Sequence, residues 1–204
     1  HYWSAQLFFI FSILHVYDHF YKKTETNIRT QRTWTLLVVV LIFLGYEMIS
    51  GFILKDDAAG IQARRILASL FGSVPFVGEL LSSAFSGSEA NSQVVYIQHV
   101  ATGTILLFIA VYDHVKTIWP KRKSWLIVLG FLLILSFLFR APLGQADSTI
   151  VKGPWFFVGI QEMLHLTSHP AYVIILIFAL LLVIWLLPKL SQKNRQRVKL
   201  GLLI

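Results

Sequence analysis

The chain contains 204 residues, of which 56% are apolar and only 14% are charged, and its mean hydropathy is +0.67. A water-soluble domain of this size would lack the polar surface that it needs to cover itself, so the composition excludes that class and predicts an integral membrane protein. The formal net charge is +8. The basic residues lie in loops without any recognition motif, so we do not expect nucleic-acid binding.

Long apolar runs predict five membrane-spanning helices, because roughly 18 to 20 helical residues cross about 30 Å of hydrocarbon. The runs lie near residues 1–20, 34–54, 93–115, 124–140 and 170–188. The sequence begins with His1 rather than with methionine, so we expect a preceding segment and an additional transmembrane helix or subunit. The predicted fold class is an all-α transmembrane bundle surrounded by membrane lipid.

The positions of lysine and arginine predict the orientation of this bundle. Thirteen of the eighteen basic residues lie near residues 22–32, 116–123 and 189–199, at the ends of the first, third and fifth predicted helices. Basic residues in short loops are retained on the cytoplasmic side. We therefore expect these ends, and a basic tail at 191–204, to face the cytoplasm of a bacterial inner membrane or another energy-transducing membrane.

Two long segments connect the predicted helices on the opposite, outer face. The first is AAGIQARRILASLFGSVPFVGELLSSAFSGSEANSQ, which predicts two short interfacial helices broken at residues 72–75. The second is APLGQADSTIVKGPWFFVGIQEMLHLTSHP, between the fourth and fifth predicted helices. Long structured loops are often functional, so the outer face is where we expect a substrate site.

Four histidines form two matched pairs on the first and third predicted helices. His1 and His15 are about 21 Å apart along the helix axis, and His99 and His114 are about 22 Å apart. Each step returns to nearly the same helix face, within about 40° and about 60° respectively. Since both helices run in the same direction, His1 would face His99 at one depth, and His15 would face His114 at the other.

Two facing imidazoles at each depth suit a low-spin haem iron that is bound on both axial sides. The chain has no cysteine, so any haem is held by side-chain ligation alone. The alternative is that the histidines are isolated and hydrogen-bonded to neighbouring helices. Ionisable side chains inside hydrocarbon are expensive and usually functional, and four of them at matched depths favour haem.

The tetrapeptide VYDH occurs at residues 16–19 and again at 111–114, and it equates His19 rather than His15 with His114. The rise from His1 to His19 would be about 27 Å, which exceeds the spacing on the other helix. We therefore assign His15 as the ligand. Asp18, Asp113 and His19 are interpreted either as polar groups at the cytoplasmic boundary or as part of a proton or quinone site.

These motifs resemble the cytochrome b family of bc-type quinol complexes. The second transmembrane helix of that family is similar to HYWSAQLFFIFSILH, its third-helix Gly-Tyr region to LGYEMISG, and its interfacial hairpin to ILASLFGSVPFVGELLSSAFSG. Its fourth helix resembles QHVATGTILLFIAVYDH, with a histidine step nearer to the plastoquinol branch. The loop that leads to its Pro-Glu-Trp-Tyr quinol-site motif resembles APLGQADSTIVKGPWFF.

The resemblance implies a dihaem four-helix bundle, to which residues 1–120 would contribute a haem-binding core of three spans plus the interfacial hairpin. It also implies two further spans with a quinol-site-like loop at 121–190, and quinol oxidation at the outer face. Two non-covalent b haems would be held there, the outer one by His1 with His99 and the cytoplasmic-side one by His15 with His114. An iron–sulfur protein or a c-type cytochrome would be the redox partner. The motif glutamate is missing, because residues 153–156 read Gly-Pro-Trp-Phe.

Quinol oxidation releases protons, so two other carboxylates are the predicted acceptors. Glu47 lies inside the second predicted helix, about two turns from the outer loop, where a charge is costly. Glu162 follows the loop motif on a short helix opened by Pro154, and His165 would relay the proton outward. We rank Glu47 slightly above Glu162, because Glu162 has the simpler explanation of being solvated.

Aromatic residues beside these acceptors predict an apolar quinol pocket, although an interfacial aromatic belt explains them equally well. The predicted lining is Tyr46, Pro154, Trp155, Phe156 and Phe157. Gly45 and Gly103 are predicted to allow close approach, either of a flat macrocycle or of a neighbouring helix.

The sequence thus predicts a membrane b-type dihaem cytochrome subunit that transfers electrons between a quinol or quinone site and a redox partner. A first alternative is a structural haem conduit or anchor for another oxidoreductase, without quinone chemistry of its own. A second is a haem-free transporter.

Overall fold

The computed structural model of the chain describes residues 1–22, 30–87, 92–109, 121–142 and 153–203, and all regular structure in these ranges is helical. The predicted all-α class is therefore confirmed. Two 3₁₀ helices, Trp155–Phe157 and Leu187–Lys189, also occur. The α-helices are α1 (Tyr2–Tyr21), α2 (Gln31–Lys55), α3 (Ala58–Gly72), α4 (Gly78–Ser86), α5 (Gln93–Ile109), α6 (Arg122–Leu138), α7 (Val158–Leu166), α8 (Pro170–Leu186) and α9 (Gln192–Leu203).

The helix boundaries agree with the predicted apolar runs. α1, α2, α6 and α8 begin and end within three residues of the predicted spans. α5 begins at the predicted residue, and its predicted continuation beyond 109 lies outside the described residues. The segment between α2 and α5 forms two helices, α3 and α4, with a break at residues 73–77, so the two predicted short helices are confirmed, whereas their interfacial location stays a prediction.

Two described segments, Gln31–Lys55 and Pro170–Lys189, are long and apolar enough to cross a membrane, judged by length and composition. α6 is shorter, but none of its residues is buried. Its large apolar side chains, among them Trp125, Phe131 and Phe137, are more than half exposed. A helix that is apolar on every side needs an apolar environment. The count of five spans stays a prediction.

The described residues form two compact units, each discontinuous in sequence. The first unit takes its described residues from His1–Leu41, Leu107–Pro142 and Val183–Ile204. Its core contains Phe20 from α1, Trp34 and Val38 from α2, and Leu187 from the 3₁₀ helix after α8. The start of α1 is joined to the end of α6, because the indole of Trp3 donates to the carbonyl of Phe139 at 2.7 Å.

Two tryptophans fix the C-terminal end of α8 against α2 within the first unit. The indole N–H of Trp34 donates to the carbonyl of Ile184 at 3.0 Å. That carbonyl has no helical donor four residues later, because Pro188 lacks an N–H. In the opposite direction, the indole of Trp185 donates to the hydroxyl of Thr35 at 2.9 Å. Trp34 on α2 therefore supplies a hydrogen-bond donor to the Ile184 carbonyl, which Pro188 cannot supply.

The second unit takes its described residues from Ile42–Leu106 and Leu143–Leu182. Its core contains Ile66, Leu70, Phe157, Val173 and Ile174. The α3–α4 hairpin belongs to this unit and is held by a buried guanidinium: Arg64, 5% exposed, donates to the carbonyl of Ser86 at 3.2 Å and to the hydroxyl of Ser92 at 2.9 Å. These bonds connect α3 to the end of α4 and to the residue that precedes α5.

Candidate functional site

The predicted haem ligand His99 lies on α5 and faces α2 within the second unit. Its Nδ1 is 3.0 Å from Oε2 of Glu47 and 2.9 Å from Oγ of Ser50. Both members of the Glu47–His99 pair are largely buried, with side chains 15% and 18% exposed respectively. Two residues one helical turn apart on α2 therefore hold the same ring nitrogen.

The hydrogen bonds of Ser50 assign the tautomer of His99. The single hydroxyl hydrogen of Ser50 is directed to the helix carbonyls, at 2.7 Å from Tyr46 O and 3.3 Å from Glu47 O. The Ser50 oxygen is therefore available as an acceptor toward Nδ1, and Oε2 of Glu47 lies within hydrogen-bond distance of the same nitrogen. Both contacts favour the tautomer that carries its proton on Nδ1. This is the state in which an imidazole ligates iron.

The carboxylate of Glu47 is itself held in place. Its Oε1 is in hydrogen-bond contact with the hydroxyl of Thr102, which lies one turn after His99 on α5 and also contacts the carbonyl of Gln98 at 2.7 Å. A Cβ on Gly103 would be 3.2 Å from Oε2 of Glu47, so the missing side chain makes room for the carboxylate. A Cβ on Gly51 would be in ordinary contact, 3.5 Å from Cε1 of His99.

The two glycines predicted to permit close approach therefore differ. Gly103 borders Glu47, whereas a Cβ on Gly45 would meet no atom within 4 Å. The structure places Gly103 next to the carboxyl group of Glu47, which the sequence analysis predicted to be a proton acceptor. Clearance for a macrocycle stays a prediction for both glycines.

The remaining predicted ligands lie elsewhere in the chain. His1 is the N-cap residue of α1 and belongs to the first unit, whereas His99 belongs to the second. His15 is exposed on α1, and its ring stacks on that of His19 with centroids 6.3 Å apart. His114 lies outside the described residues. The pairing of His1 with His99 and of His15 with His114 stays a prediction.

The predicted quinol-pocket residues form a short aromatic turn before α7. Pro154 precedes the 3₁₀ helix Trp155–Phe157. Trp155 is 54% exposed, whereas Phe157 is 2% exposed and belongs to the core of the second unit. The ring of Phe156 packs edge-on against that of Phe52 at 5.5 Å. Trp155 is thus an exposed ring of this turn, and Phe157 anchors the turn in the core.

The other predicted proton-handling residues lie together on α7. Nδ1 of His165 is 3.6 Å from Oε2 of Glu162, and both side chains are 62% exposed. Tyr46, predicted to line the pocket, donates its hydroxyl hydrogen to the carbonyl of Phe85 at 3.3 Å, which fixes the end of α4 to α2.

Sequence reasoning missed Ser50 and Thr102. A signal for both was present, because Ser50 follows Glu47 by three residues and Thr102 follows His99 by three. On a helix that spacing places side chains on one face. The spacing does not give the rotation of α2 and α5 about their own axes, which decides whether these two faces meet.

The fold and the site define a class: an all-α chain with long apolar helices and a largely buried histidine whose Nδ1 contacts a glutamate and a serine. The comparison with protein families makes this specific. The family described as Cytochrome b/b6/petB matches residues 1–118, more than half of the chain. The chain therefore belongs to the cytochrome b family of bc-type complexes, and the predicted resemblance is confirmed.

Relatives in this family are cyanobacterial and distant. Cytochrome b6 of Prochlorothrix hollandica is 28% identical over 114 residues, which cover 55% of this chain and 51% of the relative. Cytochrome b6 of Synechocystis sp. is 25% identical over 138 residues, covering 66% and 54%. Cytochrome b6 of Trichodesmium erythraeum is 27% identical over 118 residues, covering 55% and 51%. The chain spans about half the length of the curated relatives it matches.

Proposed function

We propose that this protein is a membrane b-type dihaem cytochrome subunit that transfers electrons between a quinol or quinone site and a redox partner. The observation that carries the proposal is the environment of His99, whose Nδ1 is held by Glu47 and Ser50. An acceptor held against one ring nitrogen is the usual arrangement around a histidine that binds a metal through the other nitrogen. Membership of the cytochrome b family supports the same assignment.

His99 would hold the outer-face haem together with His1, and His15 would hold the second haem together with His114. Bound b haem supplies a one-electron carrier whose potential depends on its axial ligands and their hydrogen bonds. The chain's own contribution is to present unprotonated ring nitrogens at two depths and to exclude water with its apolar helices. Electrons would then pass between the two faces of the membrane.

Exposed apolar surface supports the membrane location. α6 has no buried residue, and α8 exposes Tyr172, Ile175 and Phe178 while it buries only Val173 and Ile174. Lipid would cover these surfaces. The basic ends would then face the cytoplasm, and α3, α4 and the aromatic turn would lie at the outer face of an energy-transducing membrane.

Quinol chemistry is proposed at the aromatic turn. Oxidation of a quinol to a quinone releases two electrons and two protons, which need an acceptor near the outer face. The Glu162–His165 pair is open to solvent and so has a route by which protons can leave. Glu47 is held by His99 and Thr102. These contacts favour Glu162 over Glu47 as the first proton acceptor, with Trp155 and Phe156 as apolar walls.

The haem assignment is tested by pyridine haemochrome analysis and reduced-minus-oxidised spectra of the purified protein. We expect two b haems per chain, and His99→Leu should lose one of them. His169→Gln is the matched control, because His169 is exposed on the outer-face segment and contacts the ring of Tyr172. A protein with no b-type band, or one that keeps both haems in His99→Leu, contradicts the proposal.

A second candidate function is an electron conduit without quinone chemistry. The residues at 153–156 lack the family's motif glutamate, and Glu162 has no buried environment to tune it, which favours this alternative. A quinol analogue distinguishes the two functions. If its titration shifts the signal of either haem, quinone binds to this chain, and if neither signal responds, the conduit is correct.

The redox partner is proposed to be an iron–sulfur protein or a c-type cytochrome, with at least one additional transmembrane subunit or helix. This chain has no cysteine, so it has no thiolate ligands with which to hold an iron–sulfur cluster in addition to haem. Mass spectrometry of the complex purified from native membranes would identify the partner.

A further inference from the structure

We propose that Glu47 is a positioning residue that orients the imidazole of His99 and lowers the reduction potential of the outer-face haem. The inference rests on the proposed function, because it requires His99 to be an axial ligand. It assigns to Glu47 a task different from proton acceptance at a quinol site.

The first argument is geometric. The carboxyl group of Glu47 approaches Nδ1, with Oε2 at 3.0 Å, and the other ring nitrogen, Nε2, would hold the iron. Its second oxygen is held by Thr102, and Gly103 leaves the space that the carboxylate occupies. Three elements of the site thus fix Glu47 in one position, as is required of a group that orients a ligand.

The second argument is electronic. A carboxylate that accepts the Nδ1 proton draws it away from the ring, so the imidazole becomes a better electron donor through Nε2. Stronger donation stabilises ferric iron, which carries one more positive charge than ferrous iron, and therefore lowers the reduction potential. Ser50 competes for the same proton as a neutral and weaker acceptor.

Replacing either acceptor should therefore shift the midpoint potential of the outer haem, in opposite directions for Glu47 and Ser50. In Glu47→Gln the proton is left with neutral acceptors only, and the midpoint potential of the outer haem should rise. In Ser50→Ala the proton belongs to the carboxylate alone, and the potential should fall. A purely structural role for the pair gives no reason for shifts of opposite sign.

The test is a potentiometric titration of the two haems in the intact, haem-loaded protein, with the outer haem identified as the one lost in His99→Leu. Electron paramagnetic resonance of the ferric protein reports the strength and orientation of the axial imidazole in the same samples. Glu79→Gln is the matched control, because Glu79 is exposed in the first turn of α4 and the substitution removes the same charge. It should leave both potentials unchanged.

An unchanged potential in Glu47→Gln, or a rise in Ser50→Ala, overturns the inference. If Glu47→Gln loses the outer haem, Ser50→Ala decides, because it leaves the carboxylate in place: a fall in potential supports the inference, and any other result overturns it. Failure of the proposed function looks different, since His99→Leu would then retain both haems.

Discussion

Replacing Gly103 should weaken haem retention without unfolding the helix. A Cβ at this position would lie 3.2 Å from Oε2 and 3.5 Å from Cδ of Glu47, so an alanine forces the carboxylate to move by a few tenths of an ångström. A leucine adds three further carbons and displaces it from Nδ1 of His99. A hydrogen bond to a charged group contributes about 1.5–3 kcal/mol, which corresponds to haem retention weakened about 10- to 100-fold.

Helix propensity has the opposite effect on the stability of the fold, because replacing a helical glycine by alanine stabilises the helix by about 1 kcal/mol. The melting temperature of Gly103→Ala should therefore fall little or not at all, while its haem is lost more readily. The assay is the haem-to-protein ratio together with the rate of haem transfer to apomyoglobin. Gly130→Leu is the control, since a Cβ on Gly130 would meet no atom within 4 Å. Equal transfer rates in Gly103→Leu and Gly130→Leu would refute the reasoning.

Three further predictions follow from other parts of the chain. His114→Leu should remove the cytoplasmic-side haem alone, so a spectrum that still contains both haems contradicts the assignment. Trp34→Phe removes the only donor described for the carbonyl of Ile184, and it should lower the free energy of unfolding in detergent by about 1–3 kcal/mol; a loss within error would show that another donor replaces the indole. Trp155→Leu should weaken binding of a quinol analogue while both haems remain, and unaltered binding places the pocket elsewhere.

Periodicity and hydropathy predicted most of the fold, because both depend on local sequence. The apolar runs gave α1, α2, α6 and α8 to within three residues, and the Gly-Ser-Val-Pro stretch gave the break between α3 and α4. Phe157 was harder to interpret. It was predicted to line a pocket, yet only the contacts with Ile66 and Val173 reveal that this aromatic residue packs in a core.

The candidate site was predicted only in part, because the sequence pattern is local and the contacts of the site join different helices. The histidine spacing in the sequence predicts His99 as a ligand, but it does not identify the side chains that face its Nδ1. Glu47 was recognised as a buried charge that needs an explanation. The explanation is its contact with a histidine on another helix, and such contacts depend on helix rotation, which sequence spacing does not give.

The junction between α8 and α9 limits where this protein can be shortened. Arg195 donates to the carbonyls of Leu187, Pro188 and Leu190, at 3.1, 2.8 and 3.2 Å, and so supplies hydrogen-bond donors where α8 and its 3₁₀ extension end. A truncation placed directly after Leu190 removes all three bonds, whereas one placed after α9 retains them. Affinity tags and fusion partners for structural work therefore belong beyond α9, and a minimal version of the protein has to include it.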